Sequence, residues 1–194
     1  WSTTSTVLAS SGAAFKLEEA TIADVHRAME AGELTCRSLV GQYLAQIEAY
    51  DKQGPALNAI IEINPYALSV ADALDLKFAR GGFTGPMHCV PVIVKDNYNT
   101  MDMPTTGGSL SLKGFMPYKD AHVVKKLRDT GAVILAKSNL SEFANGTTTF
   151  SSLGGQTRNP YGPTRIPGGS SGGTGAAIAA NMGLVGLGTE TGRS

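Results

Sequence analysis

The 194 residues are 42% hydrophobic, and 16 basic side chains balance 16 acidic ones. That length suits one domain or a large piece of one, with enough apolar material for a substantial core. Balanced charge leaves no electrostatic footprint for nucleic acid or an anionic membrane, and the small-residue run AAIAANMGLVGLG is too short and glycine-rich to span a bilayer.

Cys36 and Cys89 are too few for a disulfide framework, and neither has a second cysteine or a histidine at zinc-finger spacing. The chain opens at Trp1 with a Ser/Thr/Ala-rich stretch that carries no charge before Lys16, and residues 1–14 read as an N-terminal extension. A cleaved signal peptide accounts for a start other than Met, and so does a chosen boundary. The compartment is left open by the sequence: cytoplasmic, or periplasmic or secreted if the start reflects signal-peptide removal.

In chain order, TIADVHRAME begins with Thr21 and Asp24 at capping-box spacing and puts Ile22, Val25 and Met29 on one helical face. A second Thr-led helix, TCRSLVGQYLAQIEAY, carries a stripe of Leu39/Val40, Tyr43/Leu44, Ile47 and Tyr50. LNAIIEI (57–63) reads as a strand. The helix NPYALSVADALDLKFAR follows, with Asn64 as N-cap and Pro65 at its first position. CVPVIVKDNY (89–98) is β-branched and apolar until Lys95 and Asp96. AHVVKKLRDTG is helical to Gly131, and AVILAKSN (132–139) is a buried strand ending in a lysine. Alternating strand and helix predict an α/β sheet with helices on its faces. From about 141 to 173 the periodicity gives way to Gly, Ser, Thr, Asn and Pro.

Gly168-Gly169-Ser170-Ser171-Gly172-Gly173 admits three readings. A flexible linker fits the composition, but Pro160, Pro163 and Pro167 stiffen one flank and the helix TGAAIAANM packs small residues on the other. A phosphate loop fails, because Thr174 and Gly175 follow Gly173 where a lysine is needed, and the dinucleotide pattern breaks at Ile178. A nucleophile elbow centred on Ser170 lacks its preceding strand, and His26, His88 and His122 all precede the serine. These histidines read as surface or packing residues. If a serine here is a nucleophile, lysine becomes the candidate for its base in this segment.

These residues resemble the amidase signature hydrolases, whose signature runs from a G-G-S-S-G-G loop through a small-residue helix to G-x-(D/E)-x-(G/A)-x-S. Here the last block is Gly188-Thr189-Glu190-Thr191-Gly192-Arg193-Ser194. VPVIVKDN (90–97), GAVILAKSNLSEFA (131–144) and GGQTRNPYGPTRIPGGSSGG (154–173) are similar to further family blocks, so the likeness covers residues 15 to 194. It implies a mixed central β-sheet covered by helices on both faces, with 15–194 as the N-terminal portion of one amidase signature domain.

The resemblance also implies a Ser–cis-Ser–Lys triad, with Lys95 as base, Ser170 as relay after a cis peptide bond and Ser194 as nucleophile. The interval from Ser170 to Ser194 is the family's usual serine spacing, which leaves Ser171, with Gly169 and Gly172, in support. Backbone N–H groups of Thr191, Gly192, Arg193 and Ser194 form the implied oxyanion hole. Many members carry glycine where this chain has Arg193, and arginine disfavours positive φ.

A serine hydroxyl needs a base, and lysine serves only when burial lowers its pKa, at a cost of about 4 kcal/mol. For a lone Lys95 a salt bridge to Asp96 is the simpler role; the matching serines reverse that preference. The reaction implied is hydrolysis of a carboxamide to an acid and ammonia or an amine through a Ser194 acyl-enzyme, with no metal or organic cofactor.

The expected partners are a small-molecule or peptide amide substrate and the C-terminal remainder of the same protein, in the same or a second chain. No nucleic acid and no membrane span are expected, and a homodimer is open. Two alternatives stand: the A-type subunit of a tRNA-dependent amidotransferase, and an inactive family member serving as a binding or scaffold protein.

Overall fold

Thr21 and Thr35 begin helices for the same reason. In the computed structural model, which describes residues 15–190 and Gly192, each accepts a hydrogen bond from a backbone N–H three residues on, and that residue's side chain bonds back to the threonine N–H. These reciprocal bonds satisfy two of the donors that a helix start leaves open. They launch α1 (Ile22–Glu30) and α2 (Cys36–Ile47), which runs on into a π-helical turn over Glu48–Lys52.

Strand β1 (Ile60–Ile63) is shorter than the 57–63 predicted, because Asn58 and Ala59 bond instead to Asp51 in that turn. Helix α3 (Ala67–Gly81) begins later than expected. Asn64 is buried, donates its backbone N–H to Leu135 O, and accepts from the Tyr66 N–H, so Pro65 and Tyr66 form a turn instead of a first helical turn. Tyr66 takes the N-cap position.

The remaining elements are β2 (Pro91–Lys95), α4 (His122–Asp129), β3 (Val133–Ser138), β4 (Phe150–Ser151), β5 (Gly155–Gln156), α5 (Gly172–Ala179) and β6 (Val185–Leu187). Four of the strands make a mixed sheet in the order β1-β3-β2-β6, with β1 antiparallel to β3 and β2 parallel to both of its neighbours. β4 and β5 form a separate small hairpin within the segment where periodicity was absent.

Every residue of β2 and β3 is buried, as expected for strands covered on both faces. Ile93, Leu135 and Ala136 join the core built with α1, α2, α3 and α5. Val92, Val94 and Ile134 face the other way, into a second cluster with Val124 of α4. Because side chains alternate along a strand, Lys95 follows Ile93 onto the α5 side and Asp96 turns to the opposite face.

Cys36 and Cys89 are joined in one disulfide, with Cα atoms 5.4 Å apart. The two cysteines make a single bridge, not a framework, and it ties the start of α2 to the residue two positions before β2. Among the described residues no helix is long and apolar enough to cross a membrane.

Candidate active site

Lys95 ends β2 fully buried, and its register partner on β3 is Ser138. Its Nζ donates to Ser170 Oγ at 2.5 Å, to Thr189 Oγ1 at 2.7 Å and to Ser171 Oγ at 2.9 Å. Three hydroxyls thus surround a group with three donors when charged. Removal from water pushes the ammonium down to about 8, while the charge of Glu190 pulls the other way. No ion pair joins Lys95 to a carboxylate among the described residues.

The alternative partner for Lys95, Asp96, is engaged elsewhere. Its carboxylate meets Lys137 Nζ at 2.9 Å on the far face of the sheet, and both residues are buried. The same carboxylate accepts from the Thr106 hydroxyl and from the Thr106 N–H at 3.1 Å. The two strand-end lysines therefore sit in opposite surroundings: Lys137 beside a carboxylate, Lys95 among neutral hydroxyls.

The Gly-Ser loop is ordered by specific bonds. Thr149 Oγ1 donates to Gly168 O at 2.6 Å and accepts from the Gly172 N–H, while Ser141 N–H donates to Ser170 O. Gly168 has φ +84° and the Gly169–Ser170 peptide bond is cis. A Cβ on Gly169 would lie 2.8 Å from the Thr147 carbonyl carbon, and one on Gly172 would meet Thr149 Oγ1. The glycines are thus required by close approach of the backbone to its neighbours.

Ser171 clips this loop to the segment after β6: its Oγ accepts from the Thr189 N–H at 3.1 Å and donates to Thr189 O at 3.2 Å. Pro167, Gly169, Ser171, Gly172, Thr189 and Glu190 line a depression of about 260 Å³ beside Lys95's partners. Larger grooves of about 520 and 490 Å³ flank β1, away from this chemistry.

The predicted Lys95, Ser170 and Ser171 come together, with Gly169 and Gly172 framing them. Thr191, Arg193 and Ser194 lie outside the described residues. Gly192 has φ +139° and donates its N–H to Glu190 Oε1 at 2.8 Å. Sequence reasoning did not single out Thr189 or Asn97. The only signal for either was position: Thr189 lies in the last signature block, and Asn97 is two residues past the lysine.

Comparison with known proteins gives this mixed α/β fold a family. The Amidase family model matches residues 38–194, and the chain belongs to the amidase signature family. It is 43% identical over 181 residues to an amidase-family protein of Schizosaccharomyces pombe, covering 90% of this chain and 30% of that protein. It is 45% identical over 165 residues to the A-type glutamyl-tRNA(Gln) amidotransferase subunit of Acidothermus cellulolyticus, covering 84% of this chain and 32% of that one. The solved peptide amidase of Stenotrophomonas maltophilia superposes with a TM-score of 0.83 at 47% identity, over 86% of this chain and 35% of that chain. The chain therefore spans about a third of the length of these relatives.

Proposed function

We propose that residues 15–194 are the N-terminal portion of one amidase signature domain, and that the intact protein hydrolyses a carboxamide. The observation that carries this reading is the 2.5 Å contact between Ser170 Oγ and Lys95, a lysine buried among hydroxyls, without an ion-pair partner among the described residues and with its pKa lowered toward neutrality. Ser194 Oγ attacks the carbonyl carbon and its proton passes through Ser170 to Lys95. The C–N bond then breaks as that proton is returned to the leaving nitrogen, giving ammonia or an amine and a Ser194 ester. Water repeats the sequence on the ester, releasing the acid.

Backbone N–H groups from Thr191 to Ser194 hold the developing oxyanion. Gly192 must exchange its bond to Glu190 for the substrate oxygen in order to take part.

The likeness to peptide amidase supports a peptide or small-molecule amide as substrate, with the C-terminal remainder completing the pocket. The amidotransferase relatives favour a second reading, in which the protein is the A-type subunit of a tRNA-linked complex. The Cys36–Cys89 bridge weighs against it, because such bridges persist in oxidising compartments and not where tRNA is charged. The same bridge favours a periplasmic or secreted location over a cytoplasmic one.

The test is ammonia release from primary and peptide amides by the full-length protein without partner subunits. Lys95→Ala and Ser194→Ala should each lower kcat by at least about 10²–10⁴-fold. Activity that survives either substitution refutes the mechanism. Activity that requires added subunits favours the amidotransferase, and an intact wild type that turns over no amide in either setting favours a scaffold.

A further inference from the structure

Hydrogen-bond directions around Lys95 are fixed by partners beyond it. Ser171 spends its proton on Thr189 O and receives the Thr189 N–H, so toward Lys95 it can only accept. Thr189 Oγ1 receives Lys95 Nζ at 2.7 Å and the Asn97 Nδ2 amide at 3.0 Å. Those two donors occupy both lone pairs of the hydroxyl, so its own proton points away from the lysine. Asn97 Oδ1 is buried without a hydrogen-bond partner among the described residues, so within them the amide acts on this network through its donor. Among the described residues, Ser170 is the one of the three hydroxyls whose proton is neither given to another acceptor nor turned away from the lysine.

We propose that Asn97 is a positioning residue: by donating to one lone pair of the Thr189 hydroxyl it orients the other toward Lys95, which favours Lys95 donating there and leaves the lysine lone pair for Ser170. The proposal rests on Lys95 acting as base through Ser170. Without the Asn97 donor the Thr189 hydroxyl loses that orientation, and its proton turns more readily to Lys95 and competes with Ser170. Charged neighbours do not impose this order. Asp96 faces Lys137 across the sheet, the Gly-Ser loop presents no charge, and Glu190 is the carboxylate whose field reaches Lys95.

The test uses the full-length enzyme and a double-mutant cycle. Asn97→Leu, with the same branching and number of side-chain heavy atoms but without the donor, should lower kcat about tenfold, the scale of one hydrogen bond, with KM within about twofold. In a Thr189→Val background the same substitution should cost nothing further, because the hydroxyl through which Asn97 acts is gone. A second readout needs no turnover: titration of Lys95 by NMR of carbon-13-labelled lysine. Asn97→Asp replaces the donor with an acceptor carrying charge within reach of the lysine and should raise the Lys95 midpoint by about one to three pH units.

An Asn97→Leu loss of equal size in both backgrounds overturns the assignment, as does a Lys95 titration that Asn97→Asp leaves in place. Lys95→Ala, run alongside, separates the two levels: activity surviving it removes the base itself, whatever Asn97 does.

Discussion

Two glycines in α5 give opposite expectations for the same substitution. A Cβ on Gly173 would lie 2.1 Å from Asn139 O and 2.7 Å from both the nitrogen and the carbonyl carbon of that residue. All three atoms are backbone, and Asn139 is itself held by its N–H bond to Ala59 O at 2.7 Å. In Gly173→Ala the helix must therefore retreat by about 1 Å or more to restore van der Waals distance. Overpacking of this kind costs up to about 3 kcal/mol, and the better helix propensity of alanine returns about 1 kcal/mol. The net is a loss of about 2 kcal/mol.

Gly175, two residues on, is exposed with nothing within 4 Å of its Cβ position, so Gly175→Ala should stabilise by about 0.5–1 kcal/mol. Ser170 and Ser171 sit immediately before α5, so a 1 Å retreat also displaces the hydroxyls that contact Lys95. That scale of misplacement costs about 10²-fold in kcat. Urea denaturation followed by near-UV circular dichroism, with amide turnover on the same samples, reads both quantities. Equal stability of Gly173→Ala and wild type, or comparable destabilisation by Gly175→Ala, would refute the close-approach argument.

The remaining expectations are simpler. Lys95 accepts a proton only when neutral, and its lowered pKa of about 8 sets where that form is lost. kcat/KM should therefore hold a plateau above pH 8 and fall about tenfold per pH unit below it; a flat profile from pH 6 to 9 would contradict a lysine base. The Cys36–Cys89 bridge closes a loop over a sequence separation of 53. The Cys36→Ser/Cys89→Ser double variant should then lose about 4 kcal/mol by chain entropy, read from the urea midpoint. Two free thiols found in the unreduced, denatured wild type would remove the bridge from the account.

How much of the site could be read beforehand differs by residue. Lys95 was legible through the resemblance of the blocks around it, since an apolar β-branched run ending in a lysine describes Lys137 equally well. The Gly-Ser loop was legible as ordered because prolines and a small-residue helix bracket it. Asn64 was misassigned as a helix cap because the same side chain serves an Asx turn equally well, and its burial against β3 decided between them. Thr189 and Asn97 were not legible as a pair, since a threonine and an asparagine 92 positions apart carry no local pattern that couples them.

The sequence by itself determined the main helices, the buried strands β2 and β3, the alternation that makes an α/β sheet, and the family blocks, because these depend on local periodicity and on residue order; the short strands β4, β5 and β6 carried no such signal. Only the tertiary structure decided the pairings. Lys95 meets serines 75 and 76 positions away and a threonine 94 away, while the adjacent Asp96 goes to Lys137. Neighbours along a strand point to opposite faces, so adjacency in sequence separated the nearest opposite charges. Chain folding brought the lysine to hydroxyls instead, and Cys36 to Cys89.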